Sequence, residues 1–242
     1  FFFLFFLAFI AFGQNKKIFL VAGQSNARGN GDSLYSVIPN AKFCFEYKGK
    51  KGALEPLKDP VGENDAYFQK ARSGSAWPTF AQSLYELTGD SIVIISTARG
   101  GTSVVAEQEG ELDWSSSGLL YSAMKKKVEN YLIDTGGKLS GIIWIQGEKD
   151  GKRLSNNGIN VQKYEAGLRN LFHRFQSDFG QETPIYIVPT GFNLDFPKKP
   201  FRKIRNAQKK VARKVKFVTV IFIATNEFPK KGMMSDNVHY TQ

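Results

Sequence analysis

The sequence predicts an α/β domain in which a parallel sheet is covered by helices on both faces, and three observations predict it. Five short runs rich in β-branched and aromatic residues, 18–22, 92–97, 142–146, 185–188 and 217–223, are nearly continuous in hydrophobicity, as strands buried on both sides are. Between them apolar residues recur at helical spacing: Trp77, Phe80, Leu84 and Leu87; Leu119, Ala123 and Tyr131; Leu168, Leu171, Phe172, Phe175 and Phe179. Each helical pattern stops at a glycine, Gly89, Gly136-Gly137 and Gly180, the residue that tolerates the left-handed turn at a helix end. Strands alternating with helices of this length give βαβ units, hence a parallel sheet covered by helices on both faces.

The bulk composition agrees with one packed domain. Of 242 residues, 42% are apolar, 14% aromatic and 23% charged, which excludes a disordered chain. Residues 1–12 carry no charge, too short a run for a bilayer span and the length of a secretory leader's apolar core. With small residues at Ala11 and Gly13, residues 1–13 are expected to be part of a signal peptide cleaved before Gln14. The domain is then 14–242, in a secreted or periplasmic protein with no stable membrane insertion after cleavage. Cys44, the single cysteine, forms no internal disulfide and is expected to be buried filler.

The formal net charge is +11, and ten Lys and Arg residues fall within 198–216. An anionic partner is one explanation. However, Ile204, Ala207, Val211 and Val215 keep helical spacing there, leaving Lys203, Arg205, Lys209, Lys210, Arg213 and Lys214 as a solvated face. No nucleic-acid motif accompanies the cluster, so no nucleic-acid partner is expected.

In parallel sheets, ligands gather beyond the carboxyl ends of the strands. The polar candidates obey this rule. Ser25 follows the first strand, Gly100 and Gly101 the second, Gln146 closes the third, and Asp236 with His239 follows the last. A serine at a sharp turn after a strand is exposed for attack, and its backbone N–H faces a developing oxyanion; the same position also suits a plain helix cap. A serine nucleophile needs an imidazole oriented by a carboxylate. Of two histidines, His173 lies off its helix's apolar stripe and reads as a surface residue, whereas His239 follows Asp236 by three positions in a turn-like stretch. One loop turn then brings the carboxylate to Nδ1 and leaves Nε2 for the serine. Gln146 could complete an oxyanion hole with the N–H groups of Ser25 and of Gly100 or Gly101. Glu148 and Asp150, two apart with no His or Cys ligand near, are a weaker case for a metal or a glycosidase carboxylate pair.

Four blocks in this order, Gly-Gln-Ser-Asn (23–26), Ala-Arg-Gly-Gly-Thr-Ser (98–103), Trp-Ile-Gln-Gly-Glu-Lys-Asp (144–150) and Asp-Asn-Val-His-Tyr-Thr (236–241), resemble the carbohydrate-esterase branch of the SGNH hydrolases. That branch includes sialate O-acetylesterase-like and acetylxylan esterase-like proteins. The resemblance implies a three-layer, flavodoxin-like α/β/α sandwich, no metal or cofactor, and removal of O-acetyl groups from a sugar or polysaccharide. It implies Ser25 as nucleophile, His239 as base and Asp236 as its orienter, with Ser25, Gly100, Gly101 and Gln146 as oxyanion donors. Gln24, Asn26, Arg28 and Glu148 are candidates for substrate or site support. Relatives continue past this point into a closing helix, so a C-terminal truncation is expected three residues after His239. An α/β-hydrolase elbow is disfavoured, because Ala27 stands where its second glycine belongs. A glycan-binding protein that keeps the fold without the chemistry is the rival reading.

Overall fold

The computed structural model describes residues 15–108 and 110–242, so the leader expected at 1–13 lies outside the described residues. The five expected strands form: β1 (Lys16–Gly23), β4 (Ser91–Ser96), β5 (Gly141–Ile145), β6 (Ile185–Ile187) and β7 (Val218–Val220). With β2 (Cys44–Lys48) and β3 (Ala53–Pro56) they make one seven-stranded sheet of order β3-β2-β4-β1-β5-β6-β7. Every pairing is parallel except that of β2 with β3. Without the β2–β3 hairpin, the remaining strands run in the flavodoxin-like order 2-1-3-4-5. The order reverses at β1, where such sheets open a crevice for ligands.

The hydrophobic continuity of the strands has a direct cause. Ile18, Leu20 and Ala22 of β1 face one core, with Val93, Ile95, Ile142 and Trp144, while Phe19 and Val21 face the other, with Ile92, Ile94, Ile143 and Ile145. The first core lies under α3 (Leu119–Thr135), α5 (Val161–Phe179) and α6 (Lys198–Lys214). The second lies under α2 (Trp77–Thr88), through Trp77 and Ala81. Trp144 is the centre of the larger core, edge-on to Trp114 at 5.2 Å and to Phe172 at 6.2 Å. Among the described residues, no helix is long and apolar enough to cross a membrane.

The helix stops fall where expected, with Gly89 and Gly136 in the left-handed conformation and Gly180 also at positive φ. Cys44 is fully buried, and burial pushes its thiol pKa up to about 11. His173 is exposed.

Two features depart from the sequence reading. Residues 148–155 form a short helix, α4 (Glu148–Ser155), whose acidic first turn suits the positive end of the helix dipole. Arg205 does not share the solvated face of α6; it is 6% exposed. Its guanidinium donates to the carbonyls of Thr190 and Ile223 and to the side chains of Thr225 and Asn226. The helical wheel cannot foresee this, because the loops after β6 and β7 supply the acceptors. The other basic residues remain outside, and Lys210 pairs with Glu165 at 2.7 Å.

Phe172→Ala would leave a cavity in the Trp144 cluster. It is expected to cost about 3–5 kcal/mol of stability, measured by urea denaturation, whereas His173→Ala should stay within about 0.5 kcal/mol of the parent.

Candidate active site

The site begins where β1 ends. Gly23 has φ +134°, and a Cβ there would stand 2.0 Å from the carbonyl oxygen of Ile145, so only glycine lets β1 and β5 approach and turn. Gln24 continues the contact by donating its backbone N–H to Ile145 O at 2.9 Å. Its side-chain oxygen accepts from the N–H groups of Gly147 at 3.3 Å and Lys149 at 3.2 Å, which caps the start of α4. The chain then enters a single helical turn, α1 (Ser25–Arg28). Ser25 stands at its first position, where the backbone N–H has no carbonyl to reach within the helix. Trp77 Nε1 holds the turn from below through Ala27 O at 2.7 Å.

Asp236 and His239 come from the other end of the chain. Residues 234–240 fold back on themselves, with a Met234–Tyr240 bridge and Ser235 N–H donating to His239 O at 2.8 Å. Asp236 Oδ1 accepts from the backbone N–H groups of Val238 and His239, both at 2.7 Å. Its Oδ2 lies 2.7 Å from His239 Nδ1. A carboxylate only accepts, so the ring proton belongs on Nδ1, and Nε2 presents its lone pair to Ser25 Oγ at 3.0 Å. Partial burial, the largest influence, pushes the Asp236 carboxyl upward, but the hydrogen bonds from the His239 ring and the two backbone N–H groups outweigh it and hold the pKa below the ordinary value. The structure thus brings the three expected residues together in one hydrogen-bonded chain.

Asn26 and Glu148 join the two halves. Asn26 Nδ2 donates to Val238 O at 3.2 Å and Asn26 Oδ1 accepts from Tyr240 N at 3.2 Å, so one amide grips the backbone on both sides of His239. The same Nδ2 donates to Glu148 Oε1 at 2.9 Å, which also accepts from Tyr240 Oη at 3.3 Å. Tyr240 Oη in turn accepts from Gly191 N at 2.8 Å.

Gln146 does not stand where an oxyanion donor was expected. Gln146 is fully buried, and its Nε2 donates to Thr102 O at 3.1 Å and to Asp150 Oδ2 at 2.6 Å. Both amide hydrogens are spent, so in this arrangement Gln146 ties β5 to the loop after β4 and does not serve as a free donor at Ser25. Gly100 does lie beside the serine: a Cβ on it would be 3.7 Å from Ser25 Cβ. Its N–H donates to Gln69 Oε1 at 3.0 Å. Gly101, at φ +72°, supplies the left-handed step that turns the chain away after it. Arg99 is committed to the backbone of Tyr67 at 2.9 Å.

Sequence reasoning missed Gln69, Asn30 and Tyr240. Asn30 Nδ2 donates to Ser25 O at 3.1 Å and fastens α1. Glu148 and Asp150 serve separate networks, and among the described residues no three His, Cys, Asp or Glu side chains gather as a metal would require. A polar hollow of about 360 Å³ adjoins Asp236, lined by Asn30, Asp32, Arg72, Ser73 and Ser235.

Burial raises the Asp150 carboxyl from 3.8 to about 6, against the hydrogen bonds from Val104 and Gln146. A raised carboxyl pKa means that the folded state binds the proton first, so stability falls as pH rises from about 4 to about 6 and the full cost persists above. Two pKa units correspond to about 3 kcal/mol. Asp150→Asn keeps an acceptor and removes the charge. It is expected to be more stable than the parent at pH 7.5, with the gap closing by pH 4.5, as urea midpoints across that range will show.

Known structures share this architecture. A protein of Arabidopsis thaliana aligns with a TM-score of 0.71 and 21% identity, over 94% of this chain and 91% of that one. NanS aligns with a TM-score of 0.59 and 15% identity, over 94% and 78%. A carbohydrate acetylesterase of Xanthomonas citri aligns with a TM-score of 0.54 and 18% identity, over 86% of this chain and 49% of that one, so this chain spans about half its length. At these identities the likeness shows the fold, an α/β/α sandwich. Comparison with curated proteins gave no match. Residues 15–242 match the family described as carbohydrate esterase, sialic acid-specific acetylesterase, and the chain belongs to that family.

Proposed function

We propose that the protein is a serine esterase that removes O-acetyl groups from a sugar or polysaccharide through an acetyl-enzyme. The observation that carries this reading is the hydrogen-bonded chain from Ser25 Oγ to His239 Nε2, at 3.0 Å, and from His239 Nδ1 to Asp236 Oδ2, at 2.7 Å. Membership in the carbohydrate esterase family supports the substrate class.

In this mechanism His239 Nε2 takes the Ser25 proton as Oγ attacks the acetyl carbonyl carbon. The carbonyl π pair moves onto oxygen, and the Ser25 N–H at the head of α1 stabilises it. Asp236 stabilises the imidazolium. Collapse expels the sugar oxygen, which takes the proton from His239. Water, deprotonated by His239, then attacks the acetyl-enzyme; Ser25 Oγ leaves and is reprotonated, and acetate is released. Export to the periplasm or the medium is the setting we adopt, supported by the uncharged run at 1–12.

Ser25→Ala is expected to lower p-nitrophenyl acetate turnover by about three orders of magnitude or more; turnover within a few-fold of the parent removes the assignment. Asp236→Asn presents His239 with a mixed donor–acceptor and loses the preferred tautomer. Its kcat should fall roughly a hundredfold to ten-thousandfold, with stoichiometric binding of a product sugar retained by calorimetry. Acetate release from acetylated xylan, pectin and sialosides identifies the sugar.

A further inference from the structure

Beside Ser25 lies a guanidinium that the mechanism has not used. Arg28 Nη1 donates to Gln69 Oε1 at 3.0 Å, and Nη2 donates to Asn30 Oδ1 at 2.6 Å. Its Nε is buried without a partner, and among the described residues no carboxylate pairs with Arg28. A half-buried cation is ordinarily paired, because desolvating a charge is costly. Here every acceptor is a neutral amide oxygen. Burial first, and then the positive charge of Arg72, depress its pKa, which is the mark of an uncompensated charge.

Two donors converge on one oxygen. Gln69 Oε1 accepts from Arg28 Nη1 and from Gly100 N–H, both at 3.0 Å. The point where a Cβ of Gly100 would stand is 3.3 Å from that oxygen, 3.4 Å from Arg28 Nη1 and 3.7 Å from Ser25 Cβ. Donors fixed around an oxygen next to a nucleophile are the arrangement an oxyanion needs. Gln146, the other side-chain candidate, has no hydrogen left to give. Gln69 is anchored through its backbone, N–H to Ala98 O at 3.0 Å, so its amide can rotate away while the loop stays in place.

We propose that Arg28 is a catalytic oxyanion donor acting with the backbone N–H of Gly100, and that the amide oxygen of Gln69 holds the oxyanion's place until an acyl group displaces it. This rests on Ser25 being the nucleophile. As Oγ bonds to the carbonyl carbon, the displaced electron pair on oxygen takes the two hydrogen bonds that Gln69 gives up, and no proton moves in the exchange.

The test is the rate at which diethyl p-nitrophenyl phosphate labels Ser25, followed by p-nitrophenolate release and intact mass, together with kcat and KM for p-nitrophenyl acetate. Arg28→Met should slow labelling and kcat about a hundredfold with KM within a few-fold. Arg28→Lys keeps the charge but loses the planar fork and should recover only part of the rate. Gln69→Ala removes the competing acceptor and should raise kcat/KM about fivefold, a gain that a structural defect does not produce. If the parent is labelled at Ser25 but Arg28→Met reacts within twofold of it, Arg28 is not a donor and the proposal fails alone. If Gln69→Ala slows the reaction as much as Arg28→Met does, Gln69 is a support and the place-holding role is wrong. If the parent is not labelled at Ser25, the nucleophile assignment fails and the proposal with it. Should Arg28→Met not fold, Arg28→Lys and Gln69→Ala decide: parental rates in both overturn the proposal.

Discussion

Ser25 and His239 meet because the Asn26 side chain holds the backbone on either side of the imidazole. Segments 214 residues apart in the chain are joined at the residue next to Ser25, so the grip sets the Ser25–His239 separation directly. Everything around it maintains that grip. Glu148 orients the Asn26 amide, Tyr240 returns to Glu148, and Gly191 fixes Tyr240. Below them, Gly23 lets β1 pass under Ile145 closely enough for Gln24 to cap α4, the helix that carries Glu148. The alignment of Ser25, His239 and Asp236 therefore follows from a backbone approach that a single methyl group would block.

This polar assembly is costly, and the sheet carries the cost. Glu148 and Asp150 are both nearly or fully buried, each with one carboxylate oxygen unpartnered, and Arg205 is buried among carbonyls without a carboxylate. Isolated, such groups would oppose folding. They are tolerated because the strands beneath are apolar on both faces and the aromatic cluster around Trp144 fills the larger core. Stability and chemistry are thus divided between layers, the sheet interior supplying one and its carboxyl rim the other.

Much of this division was legible in the sequence. Continuous apolar runs located five of the six parallel strands, β1, β4 and β5 because they are buried on both sides, and glycine stops marked three helices. The meeting of Ser25, Asp236 and His239 was legible because these residues follow strands, and because Asp236 and His239 interact through a local turn. The β2–β3 hairpin escaped notice because the buried Glu46, held by Lys48, interrupts the apolar pattern of β2. Helix α4 was hidden by its charges and by Gly151, which lies against the Phe201 ring. The true partners of Gln146 and Arg205, and the position of Gln69 over Gly100, depend on loops brought together only in the folded chain. No local spacing carries that information.

The loop of residues 234–240 has a consequence of its own. Its internal bonds, from Asp236 to its own backbone and from Met234 to Tyr240, make carboxylate and imidazole a prefabricated pair, while its links to the body run through the side chains of Asn26, Asn237 and Tyr240 and a backbone bond from Leu194 N–H to Asn237 O. The tautomer of the ring is thus decided within a few residues, whatever the rest of the molecule does. Competence to react is decided separately, by whether that pair is seated. Under the proposed function, loss of seating would leave an intact sandwich with a correctly wired but idle base, so thermal resistance and turnover would be free to drift apart in variants of this protein.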